Sequence, residues 1–252
     1  MPGGRDDDDD DDVGGPSGCG DSDRWPLGEC AAQSGLGVGP PLVLEAFLDA
    51  GNLSDGDVSQ LLGMSHTLES DHQLATLLER IAREYSLSGS QITAYLEAAS
   101  TIESNHQLEM TARTIIERAD FTGEQLDLVL AMADGVGSDH QKAMILQAVI
   151  DRRDLTAGEV DRVLRVSEGL ESDHQLSATL KLLATEQDLS GSGVSGVIET
   201  ASRIESDHNL ASVLVTLADR YEIEGTARAR YRELADGMGS HQRSQVLAAI
   251  VR

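Results

Sequence analysis

Ser70-Asp71-His72-Gln73-Leu74 opens a stretch that returns as Ser104-Asn105-His106-Gln107, Ser138-Asp139-His140-Gln141, Ser172-Asp173-His174-Gln175 and Ser206-Asp207-His208-Asn209, each start 34 residues after the last. A fixed period of this length is the signature of one supersecondary unit copied along a chain. A further occurrence, Ser240-His241-Gln242, has lost the Asp. Backwards from Ser70, Asn52-Leu53-Ser54 and Leu61-Leu62 keep the same register, so the array is expected to begin near Leu36. Units are therefore expected to start near residues 36, 70, 104, 138, 172, 206 and 240, the last holding a single helix.

Each unit reads as two helices. Ser70, Ser104, Ser138, Ser172, Ser206 and Ser240 stand where a helix N-cap belongs, and a Gln three residues on, as in Ser70 with Gln73 or Ser138 with Gln141, predicts a reciprocal capping box. The Asp that follows the Ser favours the positive end of the helix dipole. Leu74, Leu77, Leu78 and Ile81 then form one apolar face, echoed by Ile145, Leu146 and Val149 and by Val213, Leu214 and Leu217. About eighteen residues after each Ser a second start appears: Leu87-Ser88 with Gln91, Phe121-Thr122 with Gln125, and Leu155-Thr156 with Glu159. All five prolines lie at or before position 41, so nothing interrupts helix beyond it. Aliphatic burial at about 1.5 to 3 kcal/mol per side chain can offset ordering only if neighbouring units cover both faces. The expected fold is all-α: an α-solenoid over residues 36–252, a superhelix of the HEAT or tetratricopeptide kind built from 34-residue helix pairs. Glu224 at a cap position and Arg228 at an apolar one predict a weaker helix near the C-terminal end.

The net charge of −25, with no compensating Lys/Arg cluster, argues against a phosphate-backbone partner. No apolar stretch reaches the ~20 residues that span a bilayer, so no membrane insertion and a cytoplasmic location are expected. Residues 1–35 combine the aspartate run Asp6 to Asp12 with Gly, Ser and Pro and read as a disordered acidic tail. The cysteines, Cys19 and Cys30, both fall in it and could not staple the helices. Lys142 and Lys181 are the only lysines, which suits a GC-rich genome.

One histidine per unit, His72, His106, His140, His174, His208 and His241, occupies the first turn of the leading helix. The expected role is structural: each ring packs on the preceding unit and hydrogen-bonds its inter-helix turn. The alternative is a cation or small-ligand ladder of His72, His106, His140, His174 and His208 with the adjacent Asp71, Asp139, Asp173 and Asp207. Helices pack about 8 to 10 Å apart and a metal–nitrogen bond is about 2 Å, so neighbouring rungs do not share an ion readily, and no metal or cofactor is expected. Gly191-Ser192-Gly193-Val194-Ser195-Gly196 fits the dinucleotide fingerprint but lies between two helices, without the preceding strand that fingerprint requires. No Ser/His/acid set stands apart from its copies, so catalysis is not expected.

The starts Ile102-Glu103-Ser104-Asn105-His106-Gln107 and Ile204-Glu205-Ser206-Asp207-His208-Asn209 resemble a bacterial helical repeat that begins hydrophobic-x-Ser-Asp-aromatic-Glu-Lys/Arg. That repeat is found C-terminal to membrane metallopeptidases of the β-lactam-sensor type and in other sensor-like proteins. Here His replaces the aromatic residue and Gln the charged one, and no protease motif is present. The resemblance implies a regulatory or interaction module without peptidase activity. A non-catalytic scaffold presenting an acidic surface to a basic or amphipathic protein segment is the expected function.

Overall fold

The computed structural model describes residues 44, 46–49 and 51–251. The acidic tail 1–35, both cysteines and the expected array start near Leu36 lie outside the described residues. Among those described there are twelve α-helices from Asp55 onward, further helical residues before them, a single-turn 3₁₀ helix at Ser65–Thr67, and no strand.

The helices alternate between two layers. One holds α2 (Asp71–Glu84), α4 (Asn105–Arg118), α6 (Asp139–Arg152), α8 (Asp173–Glu186), α10 (Asp207–Arg220) and α12 (Ser240–Ala249). The other holds α1 (Asp55–Met64), α3 (Gly89–Ala99), α5 (Gly123–Gly135), α7 (Ala157–Ser167), α9 (Gly191–Ala201) and α11 (Gly225–Asp236). Each helix packs on the helix two places along the chain, most closely so within the first layer, and also on its neighbours in sequence. That pattern is an α-solenoid. Residues 44 and 46–49 are helical ahead of α1, with Leu44 and Leu48 already buried.

The apolar faces meet between the layers. Leu78, Ala112, Leu146, Leu180 and Leu214, at one position of the repeat, are all fully buried in a single continuous core. Tyr95 and Tyr231, 136 residues apart and thus also equivalent, are fully buried; their hydroxyls donate to the carbonyls of Thr111 (3.1 Å) and Val246 (2.9 Å) in the following helix.

Polar side chains join unit to unit. In the second-helix layer the predicted capping boxes form at Ser88, Thr122 and Thr156, and a fourth forms at Ser54 with Asp57. The same Gln that closes a box also reaches the previous unit: Gln91 Nε2 donates to the Asp55 carbonyl (2.9 Å) and Gln125 Nε2 to that of Gly89 (2.6 Å). Glu159, next in the series, has no donor; Arg153 instead reaches the Phe121 carbonyl at 3.3 Å and pairs with Glu159 at 3.2 Å. Where the first helices end, Gln187 Nε2 donates to the carbonyls of Ile150 and Arg153, and the Tyr221 hydroxyl lies 3.0 Å from that of Ala184.

The glycines of the fingerprint-like segment, expected between two helices, lie instead within α9 itself, with Ser190 as its cap. A Cβ on Gly196 would meet Leu164 Cδ1 at 2.8 Å, so this glycine serves close packing of α9 on α7. In α11, where a weaker helix is expected, Glu224 makes no side-chain cap bond and only Tyr231 and Ala235 are buried.

Candidate functional site

The first turns of α2, α4, α6, α8, α10 and α12 carry the Ser-Asp-His segments. Because these helices stack on one another in order, their N-termini form one ridge.

Ser70, Ser104, Ser172 and Ser206 cap their helices, each side-chain oxygen accepting the amide N–H three residues on at 3.4 to 3.5 Å. Unlike the second helices, these caps are not closed by the Gln. At Ser104, Ser172 and Ser206 the amide that the Gln or Asn would have taken already has an acceptor in the preceding unit. Asp71 Oδ2 accepts the Ser104 N–H at 2.7 Å, Asp139 accepts that of Ser172, and Asp173 accepts those of Ser206 (2.7 Å) and Glu205 (3.1 Å). A carboxylate in this position makes a charge-assisted bond across the unit boundary.

Two corrections follow from this Asp bridge. The first concerns Ser240, expected as a cap. The cap of α12 is Gly239, whose N–H donates to Asp207 Oδ2 at 2.8 Å, while Ser240 occupies the Asp position. The glutamate that precedes Ser104, Ser172 and Ser206 has no counterpart there, so this unit starts 33 residues after Ser206. Tyr231 confirms the register: Val246 lies seven residues after Gly239, as Thr111 lies seven after Ser104. The second correction concerns the histidines. His72, His106, His140, His174, His208 and His241 are all exposed rather than packed on the preceding unit, and the hydrogen bond across the unit boundary is made by the Asp one residue earlier, to the cap of the following unit. The first helical residue points forward along the stack, to the cap of the following unit; the second points out. Among the described residues two rings have a polar neighbour: His106 Nδ1 lies 3.8 Å from Glu109 Oε2, and His140 Nδ1 lies 3.5 Å from Gln175 Nε2.

Asn105 shows what the Asp does. Its Oδ1 accepts from Gly137 (3.2 Å) rather than from Ser138, and Ser138 makes no side-chain cap bond to its helix; its hydroxyl bonds Gln141 Oε1 instead. Asn105→Asp is expected to move the acceptor onto the Ser138 N–H, restore that cap and raise stability by about 0.5 to 1 kcal/mol, read from the urea midpoint. A lowered midpoint would show that the slipped bond is the better one.

The ridge is acidic. Glu69, Glu103, Glu171 and Glu205, immediately before the caps, are exposed beside the histidines. Lys142, in the first turn and a half of α6, is buried and directed to Asp134 at 4.0 Å, so it adds little positive charge outside. An open depression of about 700 Å³ lies at the first two rungs, lined by groups including His66, Glu69, Asp71, His72, Glu103 and Gln107. Among the described residues no three His, Cys, Asp or Glu side chains converge in a way that could hold a metal ion. No described helix is long and apolar enough to cross a membrane.

Fold and ridge together define a helical-repeat protein, an α-solenoid with one decorated edge. No family model, curated protein or solved structure matches the chain.

Proposed function

We propose that the chain is a non-catalytic interaction scaffold whose histidine–glutamate ridge receives a basic segment of another protein. One observation carries this reading: an exposed residue is repeated although the fold does not use it. Ser caps and Asp bridges explain their own recurrence, but the histidines have no such task. Simple copying does not account for them either. Eleven residues further along the same helices, the equally exposed position holds Arg83, Glu117, Asp151, Thr185 and Asp219 in successive units. A position that stays His while another exposed position drifts this far points to something outside the chain.

Rungs about 8 to 10 Å apart match every third residue of an extended peptide rising about 3.3 Å per residue. A segment with Lys or Arg at that spacing would pair its cations with Glu69, Glu103, Glu171 and Glu205, the third rung having Gly137 at that place, and lay their aliphatic stems on the imidazoles. The attraction would weaken with added salt. The resemblance of the repeat starts to those of sensor-associated modules agrees with an interaction role. Catalysis finds no support, since the Asp of each set accepts a backbone amide of the next unit and the Ser is held by an amide of its own helix or, at Ser138, by Gln141.

The test is a crosslinked pull-down from the native host with the wild-type chain and with Glu69, Glu103, Glu171 and Glu205 all changed to Gln. These side chains are exposed, so the variant should melt as the wild type does. Loss of the captured partner from the variant is the expected outcome; equal capture would rule out the ridge as the docking surface.

A second reading rests on the depression at the first two rungs, where two imidazoles and three carboxylates line one open space. It would make the edge a sensor for a cation or small ligand. Titration calorimetry with zinc and with calcium separates the readings, because the absence of saturable heat at micromolar metal would dismiss this one.

A further inference from the structure

We infer that the depression at the first two rungs takes a lysine side chain, ammonium first, a reading that rests on the docking ridge proposed above and fixes where one cation of the segment lies. The observation is that the chain fills the equivalent places with cations of its own. Around the depression stand His66, Glu69, Asp71, Leu74, Thr101 and Glu103, and no Lys or Arg among the described residues lines it. Two units along, the same positions hold Asp134, Gly137, Asp139, Lys142, Gly169 and Glu171. Lys142 thus stands where Leu74, Leu108, Leu176 and Leu210 are buried in the other full units. Its side chain is 9% exposed and carries the ammonium to 4.0 Å from Asp134 Oδ1. The Nζ lies 3.0 Å from where a Cβ on Gly169 would stand, so it uses room that the Thr101 side chain takes in the first copy.

Carboxylates and cations keep step along the ridge. One unit beyond Lys142, Glu171, Asp173 and Glu205 stand at the places of Glu69, Asp71 and Glu103, and Arg203 stands at that of Thr101. In the last copy, counted from the cap Gly239, Asp236 takes the place of Thr101 and Arg243 pairs with it at 2.7 Å. Between the second and third rungs these positions hold no cation, and there Asn105 and Gly137 have replaced two of the carboxylates. The first copy alone keeps Glu69, Asp71 and Glu103 with no Lys or Arg at these positions. Carboxylates gathered without a counter-charge favour a cation brought in from outside.

Lys142 also indicates which cation. An ammonium is a compact charge with three donors on an aliphatic stem, and the stem can lie on apolar surface while the head meets carboxylates. Leu68 and Leu74, both buried, give the depression that apolar floor. For a bare metal ion the described residues bring no three ligands together.

Amide NMR on the full chain titrated with n-butylammonium tests this, because sodium supplies the charge without the stem and n-butanol the stem without the charge. Saturable shifts at residues 66–74 and 101–107 are expected with n-butylammonium alone, with a Kd on the order of 10 mM. A peptide of repeated Lys-Gly-Gly should shift the same amides at lower concentration. Leu74→Lys, which copies Lys142, should abolish the response; Thr76→Lys, which adds the same charge at an exposed site of α2, should preserve it. Circular dichroism verifies that each variant stays helical. Glu69→Gln combined with Glu103→Gln, both exposed, should weaken binding about fivefold without touching the core. No saturable shift, or one that both the Leu74 and the double glutamate variants leave intact, overturns the lysine pocket, while the ridge still stands or falls by the pull-down of its four-glutamate variant. A response to n-butylammonium with none to the peptide would also overturn it, by making the ligand a free amine.

Discussion

Glu159→Ala is expected to lower the stability of the chain by about 3 kcal/mol at neutral pH, with the larger part of that loss disappearing in acid. Glu159 is 6% exposed; one oxygen accepts the Thr156 amide and hydroxyl at 2.8 Å each, and the other faces Arg153 at 3.2 Å and Arg162 at 3.9 Å. Alanine removes a capping box worth about 1 kcal/mol and leaves two partly buried guanidiniums without their counter-charge. Burial on its own would raise the Glu159 pKa. The two Thr156 hydrogen bonds and the two arginines outweigh burial and hold it below the ordinary 4.5. A carboxyl depressed in the folded state contributes stability that is complete above the unfolded pKa and is lost as the pH falls through the folded one. Wild type and variant should therefore differ most near neutrality and converge below the usual carboxylate range. Glu159→Gln should fall between them, since an amide keeps the Thr156 acceptor and could donate to the Gly123 carbonyl as Gln125 does to Gly89. Urea titrations at pH 7 and near pH 3 decide the matter. A difference unchanged between the two would remove the arginines from the explanation.

The second large effect distinguishes two equivalent tyrosines. Tyr95→Ala should cost about 3 to 5 kcal/mol, the range for emptying a large buried site, because α3 is packed between α1 and α5 and has α2 and α4 in the facing layer. The loss should appear in the main unfolding transition. Tyr231→Ala deletes the same buried ring and hydroxyl bond, but α11 has little else buried and no cap. The expected result is local: amides of α11 and α12 exchange quickly while α2 through α9 keep wild-type protection. Hydrogen exchange followed along the chain reads both. If Tyr231→Ala lowered protection evenly throughout, the stack would be one cooperative unit to its last helix.

The ridge was only half legible in the sequence. The Ser caps and the register of the histidines followed from spacing, because an N-cap is a local device satisfied by the next three amides. The partner of the Asp was not legible, since its acceptor reaches an amide 33 residues away and only stacking brings the two together. The histidine was expected to bridge the units, backwards, where the Asp beside it bridges them forwards. A signal was present, however: Asn105 is the one Asp replacement among the five full starts, and the unit after it is the one whose Ser cap fails. The Gly239 cap was hidden similarly, because the missing glutamate shifts the register by one without disturbing the visible Ser-His-Gln.

The sequence by itself determined the helix pairs, their period and their apolar faces. Periodicity, capping and the absence of proline act within one or two turns of chain, and they left a stack as the only way to bury those faces. Tertiary structure alone decided which polar side chains bridge the units and which are left to solvent. Asp173 and His174 are adjacent and both polar, and a rotation of about 100° around the helix axis separates a half-buried hydrogen bond from an exposed ring. Which of the two points at the neighbour depends on where that neighbour sits, and no local rule contains that information.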